Sequence, residues 1–164
     1  MKNIYLDVDA VIILDDLKNA GNGALGLALF LSYLNYNQSK DKYCVCWLTT
    51  HCKDGSDKRV LEYLKSKKLW SFDYSRIVEM KIKPTSWREL KTEAIDFSED
   101  FLWIDDELFP EELEVLKKHN AENKFVKIDL QKNKYQLKDI AYSGTLGDDP
   151  WESGDPRYLT EVTE

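Results

Sequence analysis

Acids and hydroxyls recur just past the apolar runs of this 164-residue chain. Asp7 and Asp9 follow Ile4-Tyr5-Leu6; Thr49, Thr50 and His51 follow Tyr43 to Leu48; Asp105 and Asp106 follow Phe101 to Ile104. One carboxylate can attack an electrophile, a second can carry a proton, and several together hold a hard cation through oxygen. Hydroxyls and a lysine ammonium complement such a group by holding the oxygens of an anionic substrate. Each motif also has a plain structural competitor. Asp-x-Asp is common in loops, and Asp105-Asp106 ahead of Pro110 is equally able to cap a helix. Lone lysines and histidines such as Lys91 and His51 are more often solvated or structural, and Lys67, Lys81 or Lys83 is an alternative to Lys91.

The elements that must position these groups follow from apolar patterning. Ile4 to Val8, Tyr43 to Leu48, Phe101 to Ile104 and Phe125 to Ile128 are nearly continuous apolar runs, the pattern of strands covered on both faces of a parallel sheet. Arg76 to Met80 is a weaker fifth strand candidate. Residues 24 to 34 are apolar nearly all round and predict a buried crossover helix. Ser56 can cap a helix carrying Val60, Leu61 and Leu64, ending in Lys65, Lys67 and Lys68. Ser86 and Glu89 have capping-box spacing ahead of Leu90, Ala94 and Phe97. Pro110 suits a first helical position, with Lys117, Lys118 and His119 closing the last turn. Alternating strands and helices predict a three-layer α/β Rossmannoid fold around a central parallel sheet. In such sheets ligands bind beyond the carboxyl ends of the strands, where the acids and hydroxyls fall.

The composition fits one domain, expected over residues 1–143, followed by an acidic Gly- and Pro-containing tail over residues 144–164 that Trp151 and Tyr158 could pin to the body. With 43% hydrophobic residues the chain has too many apolar side chains to be disordered, and no run approaches the roughly 18 residues that span a bilayer. A cytoplasmic protein without membrane partners is expected. Cys44, Cys46 and Cys52 are an odd set without a secretion signal, so free thiols are expected, with the first two on one strand face. Tyr5, Trp47 and Trp103 read as packing residues rather than base-stacking surfaces. The net charge of −7 argues against generic binding of polyanions. Its distribution is uneven: residues 51 to 91 carry 11 Lys/Arg against 6 Asp/Glu, and residues 92 to 164 carry 8 against 19. The basic middle suits either a phosphorylated substrate or a solvated Lys-rich helix face.

Taken in order, Ile-Tyr-Leu-Asp7-Val-Asp9-Ala10-Val11, Cys-Trp-Leu-Thr49, Glu-Leu-Lys91-Thr and Trp-Ile-Asp105-Asp106-Glu-Leu resemble the four motifs of the haloacid dehalogenase superfamily. Trp-Leu-Thr, Lys-Thr-x-Ala-Ile and Trp-Ile-Asp-Asp-Glu-Leu look most like the compact domain of that type found in RNA repair proteins. A response-regulator receiver also clusters aspartates, a Thr and a Lys, but there the acidic pair comes first and the lysine last; here Asp105-Asp106 follows Lys91.

The resemblance implies a magnesium-dependent phosphohydrolase. Asp7 would be the nucleophile and Asp9 the general acid and base; Thr49 and Lys91 would hold the phosphoryl oxygens, with Thr50 and His51 near the substrate. Asp7, Asp9 (through its carbonyl), Asp105 and Asp106 would surround Mg2+. Ala10 stands where the family usually has Gly, which puts the turn that aims Asp9 in doubt. The short intervals between motifs leave no room for a large cap domain, so a bulky substrate or a homo-oligomer partner would cover the open site. The substrate would be a phosphorylated small molecule or nucleic-acid end; the rival readings are a small-metabolite phosphotransferase or nucleotidase and a non-catalytic interaction module.

Overall fold

Four parallel strands form one sheet in a computed structural model that describes residues 1–14 and 21–146. They are β1 (Lys2–Leu6), β2 (Tyr43–Trp47), β3 (Phe101–Asp105) and β4 (Phe125–Lys127), in the spatial order β2-β1-β3-β4. Residues 147–164, Trp151 and Tyr158 among them, lie outside the described residues. The register sets Ile4 beside Val45 and Leu102, and Tyr5 beside Cys46 and Trp103. Alternation then sends Ile4, Leu6, Val45, Trp47, Leu102 and Ile104 into one core and Tyr5, Cys44, Cys46, Phe101 and Trp103 into the other. Both faces are buried, which explains why the runs read as continuously apolar.

The five α-helices of the described residues are α1 (Leu27–Ser39), α2 (Lys58–Lys65), α3 (Ser71–Met80), α4 (Pro110–Lys118) and α5 (Gln136–Tyr142). The first core takes α1 through Phe30, Leu31 and Leu34, with α2, α3 and α5 beside it; α4 closes the second core through Leu116. The fold is α/β with an all-parallel central sheet, as expected and compatible with a Rossmann-like arrangement. No helix of the described residues is long and apolar enough to cross a membrane. All three cysteines are free and buried, and burial, then the neighbouring Cys44 thiol, pushes the Cys46 thiol up to about 12, so it stays protonated and inert.

Three elements differ from expectation. Arg76 to Met80 is not a strand but the end of α3, whose Asp73, Ile77 and Met80 fall on one buried face at helical spacing. A short apolar run cannot tell the two apart. The real extension of the sheet comes just after it, where Lys83 pairs with β2 through Trp47 N–H to Lys83 O (2.8 Å) and Lys83 N–H to Val45 O (3.0 Å). The Ser86–Glu89 pair caps no helix: Ser86 Oγ reaches Lys53 O, and the segment holds only a single 3-10 turn, Lys91–Ala94, bounded by extended Leu90 and Ile95. The crossover helix begins at Leu27 rather than residue 24 and runs on to Ser39, because Gly26 adopts a left-handed φ of 79° that blocks earlier extension. Ser56 does accept the Lys58 N–H ahead of α2, and Pro110 does start α4.

Gly26 is required twice over. A Cβ there would lie 2.7 Å from Cβ of Lys138 on α5, in a conformation L side chains resist. Gly26→Ala should therefore cost about 2 kcal/mol or more of stability, read as a lower urea midpoint at unchanged m-value. An unchanged midpoint would show that α1 and α5 shift freely.

Candidate functional site

The chain runs from β1 outward to β2 and then returns to the other side of β1 at β3, so the strand order reverses at β1. A sheet opens a crevice at such a switch point, beyond its carboxyl edge. Asp7 leaves β1 there with its N–H on Ile104 O (3.0 Å), Thr49 follows β2, and Asp105 ends β3. The Lys91 ammonium closes the group from the 3-10 turn, 3.3 Å from Asp7 Oδ2 and 2.7 Å from Asp105 Oδ2. Its side chain is 12% exposed, against 8% for Asp7 and 1% for Asp105. Thr49 is fully buried and its hydroxyl bonds to Asp7. Asp7, Thr49, Lys91 and Asp105 thus meet although up to 98 positions separate them.

Lys91 reaches this place without the helix expected to present it. The turn is shaped by Glu93, whose carboxylate accepts the N–H groups of Arg88, Glu89 and Leu90. It is then docked on α4 by Glu112, which accepts the N–H of Lys91 (2.9 Å) and that of Phe109 (3.3 Å). Trp103 adds a further restraint, its indole N–H donating to Asp105 Oδ2 at 2.8 Å. Sequence reading missed both Glu112 and Trp103. Glu112 carried a signal in its third position of a Pro-started helix, and Trp103 in sharing the strand face of Asp105 two residues on.

One carboxylate oxygen from each of Asp7, Asp105 and Asp106 lies within 4.8 Å of the others, a buried group that could hold a metal ion. The charges argue for it. Burial first, then the Asp105 carboxylate, raises Asp7 to about 7 despite Lys91, the Val8 N–H and Thr49; burial and Asp105 raise Asp106 to about 6. Burial works against the Lys91 ammonium, but Asp7 and Asp105 outweigh it and keep its pKa raised. One ammonium among three crowded carboxylates leaves negative charge uncompensated, and three hard oxygen donors suit a hard divalent cation.

The Asp9 side chain is not part of that group. Its Oδ2 lies 2.8 Å from His51 Nε2, and its Oδ1 accepts the Tyr63 hydroxyl. The His51 and Tyr63 rings stack with centroids 3.8 Å apart. The Asp9 carboxylate is held in this clamp, and the metal role expected of Asp9 concerns its backbone carbonyl rather than these two oxygens. His51 takes a place in the site through Asp9, and Tyr63 had no sequence signal beyond its helix. Thr50 is exposed on the cleft wall. Ala10 adopts a left-handed φ of 54°, so the position does call for the conformation glycine favours.

Asp7, Asp9, Thr50, Lys91, Asp105 and Asp106 line a cleft of about 270 Å³. Such a cleft can bind an oxyanion beside a cation, offer a buried carboxylate to it and place a proton carrier at its rim. No family model, no curated protein and no solved structure matches the chain.

One outcome follows from these charges and a second from the Ala10 backbone. A raised carboxylate pKa favours folding below the ordinary value of 3.8 and loses that contribution as pH rises toward about 6 to 7. In chelator, Tm should fall between about pH 5 and about pH 7.5, and a millimolar divalent cation should restore several degrees at the higher pH and little at the lower. A cation effect independent of pH would show that these carboxylates are not its ligands. Ala10→Gly should raise stability by roughly 0.5 kcal/mol, the relief of a left-handed alanine less the added chain entropy of glycine, measured by urea unfolding.

Proposed function

We propose that this chain is a compact phosphohydrolase of the haloacid dehalogenase type, using Mg2+ and passing through an aspartyl phosphate on Asp7. The observation that carries the reading is the meeting of Asp7, Thr49, Lys91 and Asp105 at the switch point of a parallel sheet, with Asp106 beside them. Phosphoryl transfer asks for a nucleophile, counter-charge for the equatorial oxygens and a proton carrier, and each has a candidate here. Asp7, Asp105 and Asp106 would hold the ion. When bound, Mg2+ supplies the charge that lets a phosphate dianion enter an acidic cleft.

An Asp7 carboxylate oxygen forms a bond to phosphorus as the bond from phosphorus to the ester oxygen breaks. Asp9 gives its proton to the departing alkoxide, and then takes one from the water that attacks the aspartyl phosphate, releasing inorganic phosphate and free Asp7. His51 and Tyr63 orient Asp9 for both transfers through its two oxygens. Lys91 and the Thr49 hydroxyl hold phosphoryl oxygens, which asks Lys91 to loosen its bonds to Asp7 and Asp105 as the ion and substrate arrive.

Phosphorylated nucleic-acid ends are the favoured substrates, because the cleft is open and residues 51 to 91 are basic; small phosphate esters are the rival class. Phosphate release from oligonucleotide ends and from a panel of small esters distinguishes them. The expected result is Mg2+-dependent release, preferring the ends, with kcat lowered about 10³-fold or more in Asp7→Asn and Asp9→Asn. Release from neither class, or equal release by parent and Asp7→Asn, would defeat the reading; a preference for small esters would replace the substrate class.

A further inference from the structure

Beyond Asp9 lies a second cavity of about 280 Å³ with a different character. It shares Asp9 with the acidic cleft, and its other described walls are Ile13, Leu14, Gly21, Tyr63 and the Ser66-Lys67-Lys68 turn that follows α2. Among the described residues Asp9 is the one acid that lines it, opposite two lysines. The Lys67 ammonium sits 4.2 Å from the centroid of the Tyr63 ring, whose hydroxyl holds Asp9. Among the described residues neither Lys67 nor Lys68 has an ion-pair partner. The turn itself is anchored, with the Lys68 N–H on Gly21 O at 2.8 Å, so the two ammonium groups leave a fixed backbone.

We propose that this cavity is a subsite for a second phosphate, carried on the alcohol side of the substrate and held by Lys67 and Lys68. The proposal rests on the phosphohydrolase reading for what occupies the first cleft. If Asp9 protonates the leaving oxygen, the alcohol portion must lie on the Asp9 side, and this cavity begins there. An anion in it meets two ammonium groups without an ion-pair partner among the described residues, whereas the first cleft presents mostly carboxylates. Charge-assisted contacts to phosphate are among the stronger polar contacts available, and lysine serves phosphate as a point charge. A terminal nucleotide always carries a second phosphate on its sugar, so the subsite would favour an end over a simple monoester. The competing role for the two lysines is local, as cations near the carbonyl end of α2.

Equilibrium binding to Asp7→Asn in Mg2+ tests the subsite without requiring turnover. The probes are adenosine 3′,5′-bisphosphate and the two adenosine monophosphates. The bisphosphate should bind about tenfold or more tighter than either monophosphate, equivalent to about 1.4 kcal/mol. Adding Lys67→Gln and Lys68→Gln should bring the ratio of Kd values near one, and Lys67→Arg with Lys68→Arg should keep it. Equal affinity for all three probes, or a preference unaffected by the glutamine pair, overturns the subsite whatever the parent hydrolyses. A lysine-dependent preference in a chain that releases no phosphate sustains the subsite and removes the hydrolase reading alone.

Discussion

The Lys91 ammonium bridging Asp7 and Asp105 is the contact on which the site depends, because each carboxylate comes from a different central strand and repels the other. Taking charges out of water costs several kcal/mol per ion unless partners are well placed, and removing one partner of a buried pair leaves the other stranded. The surrounding hydrogen bonds serve that requirement. Trp103 occupies the Asp105 oxygen that Lys91 also uses, Thr49 supports Asp7, and Glu112 pins the backbone from which Lys91 extends. The second core, where Trp103 is fully buried, thereby becomes part of the site's electrostatics and not only of the fold's packing.

Asp7 and Asp106, held at raised pKa, trade stability for a preference. The folded chain keeps its acids crowded where water would let them separate, and the excess charge leaves a group of oxygen donors that could hold a metal ion. Such strain is common where binding energy is stored for later use, as is the left-handed Ala10 between Asp9 and the turn that follows. One methyl in a left-handed conformation costs on the order of 1 kcal/mol, which a core of this extent tolerates. The departure from glycine therefore bears on stability more than on the direction of Asp9, whose carboxylate is fixed by two side chains from residues 51 and 63.

The strands were legible because two-sided burial writes itself as continuous apolar runs, and strand ends then located Asp7, Thr49 and Asp105 without any tertiary information. The Lys91 position was legible while its element was not. The spacing of Ser86 and Glu89 imitates a capping box, yet the chain is turned by Glu93 on its own backbone, a local interaction with no periodic trace. Arg76 to Met80 failed for a related reason, since five residues with two apolar neighbours fit period 2 as well as 3.6 until Asp73 is seen on the same face. Tyr63 was invisible because its role depends on the path of α2 past the end of β1, which no short window contains.

The clamp on Asp9 gives the two cavities their relation. Tyr63 uses its hydroxyl on Asp9, its ring against His51 and its ring again under Lys67, so one residue of α2 touches the carboxylate, the imidazole and the cation of the neighbouring wall. A substrate group that entered beside Lys67 would press on the same ring that positions Asp9. On the proposed hydrolase reading, binding far from phosphorus would then bear directly on the geometry of proton transfer, the arrangement in which remote binding energy is realised in the transition state and not only in affinity. On that reading an open cleft gains from such a link, because what it lacks in walls would be supplied by the substrate itself once both ends are held.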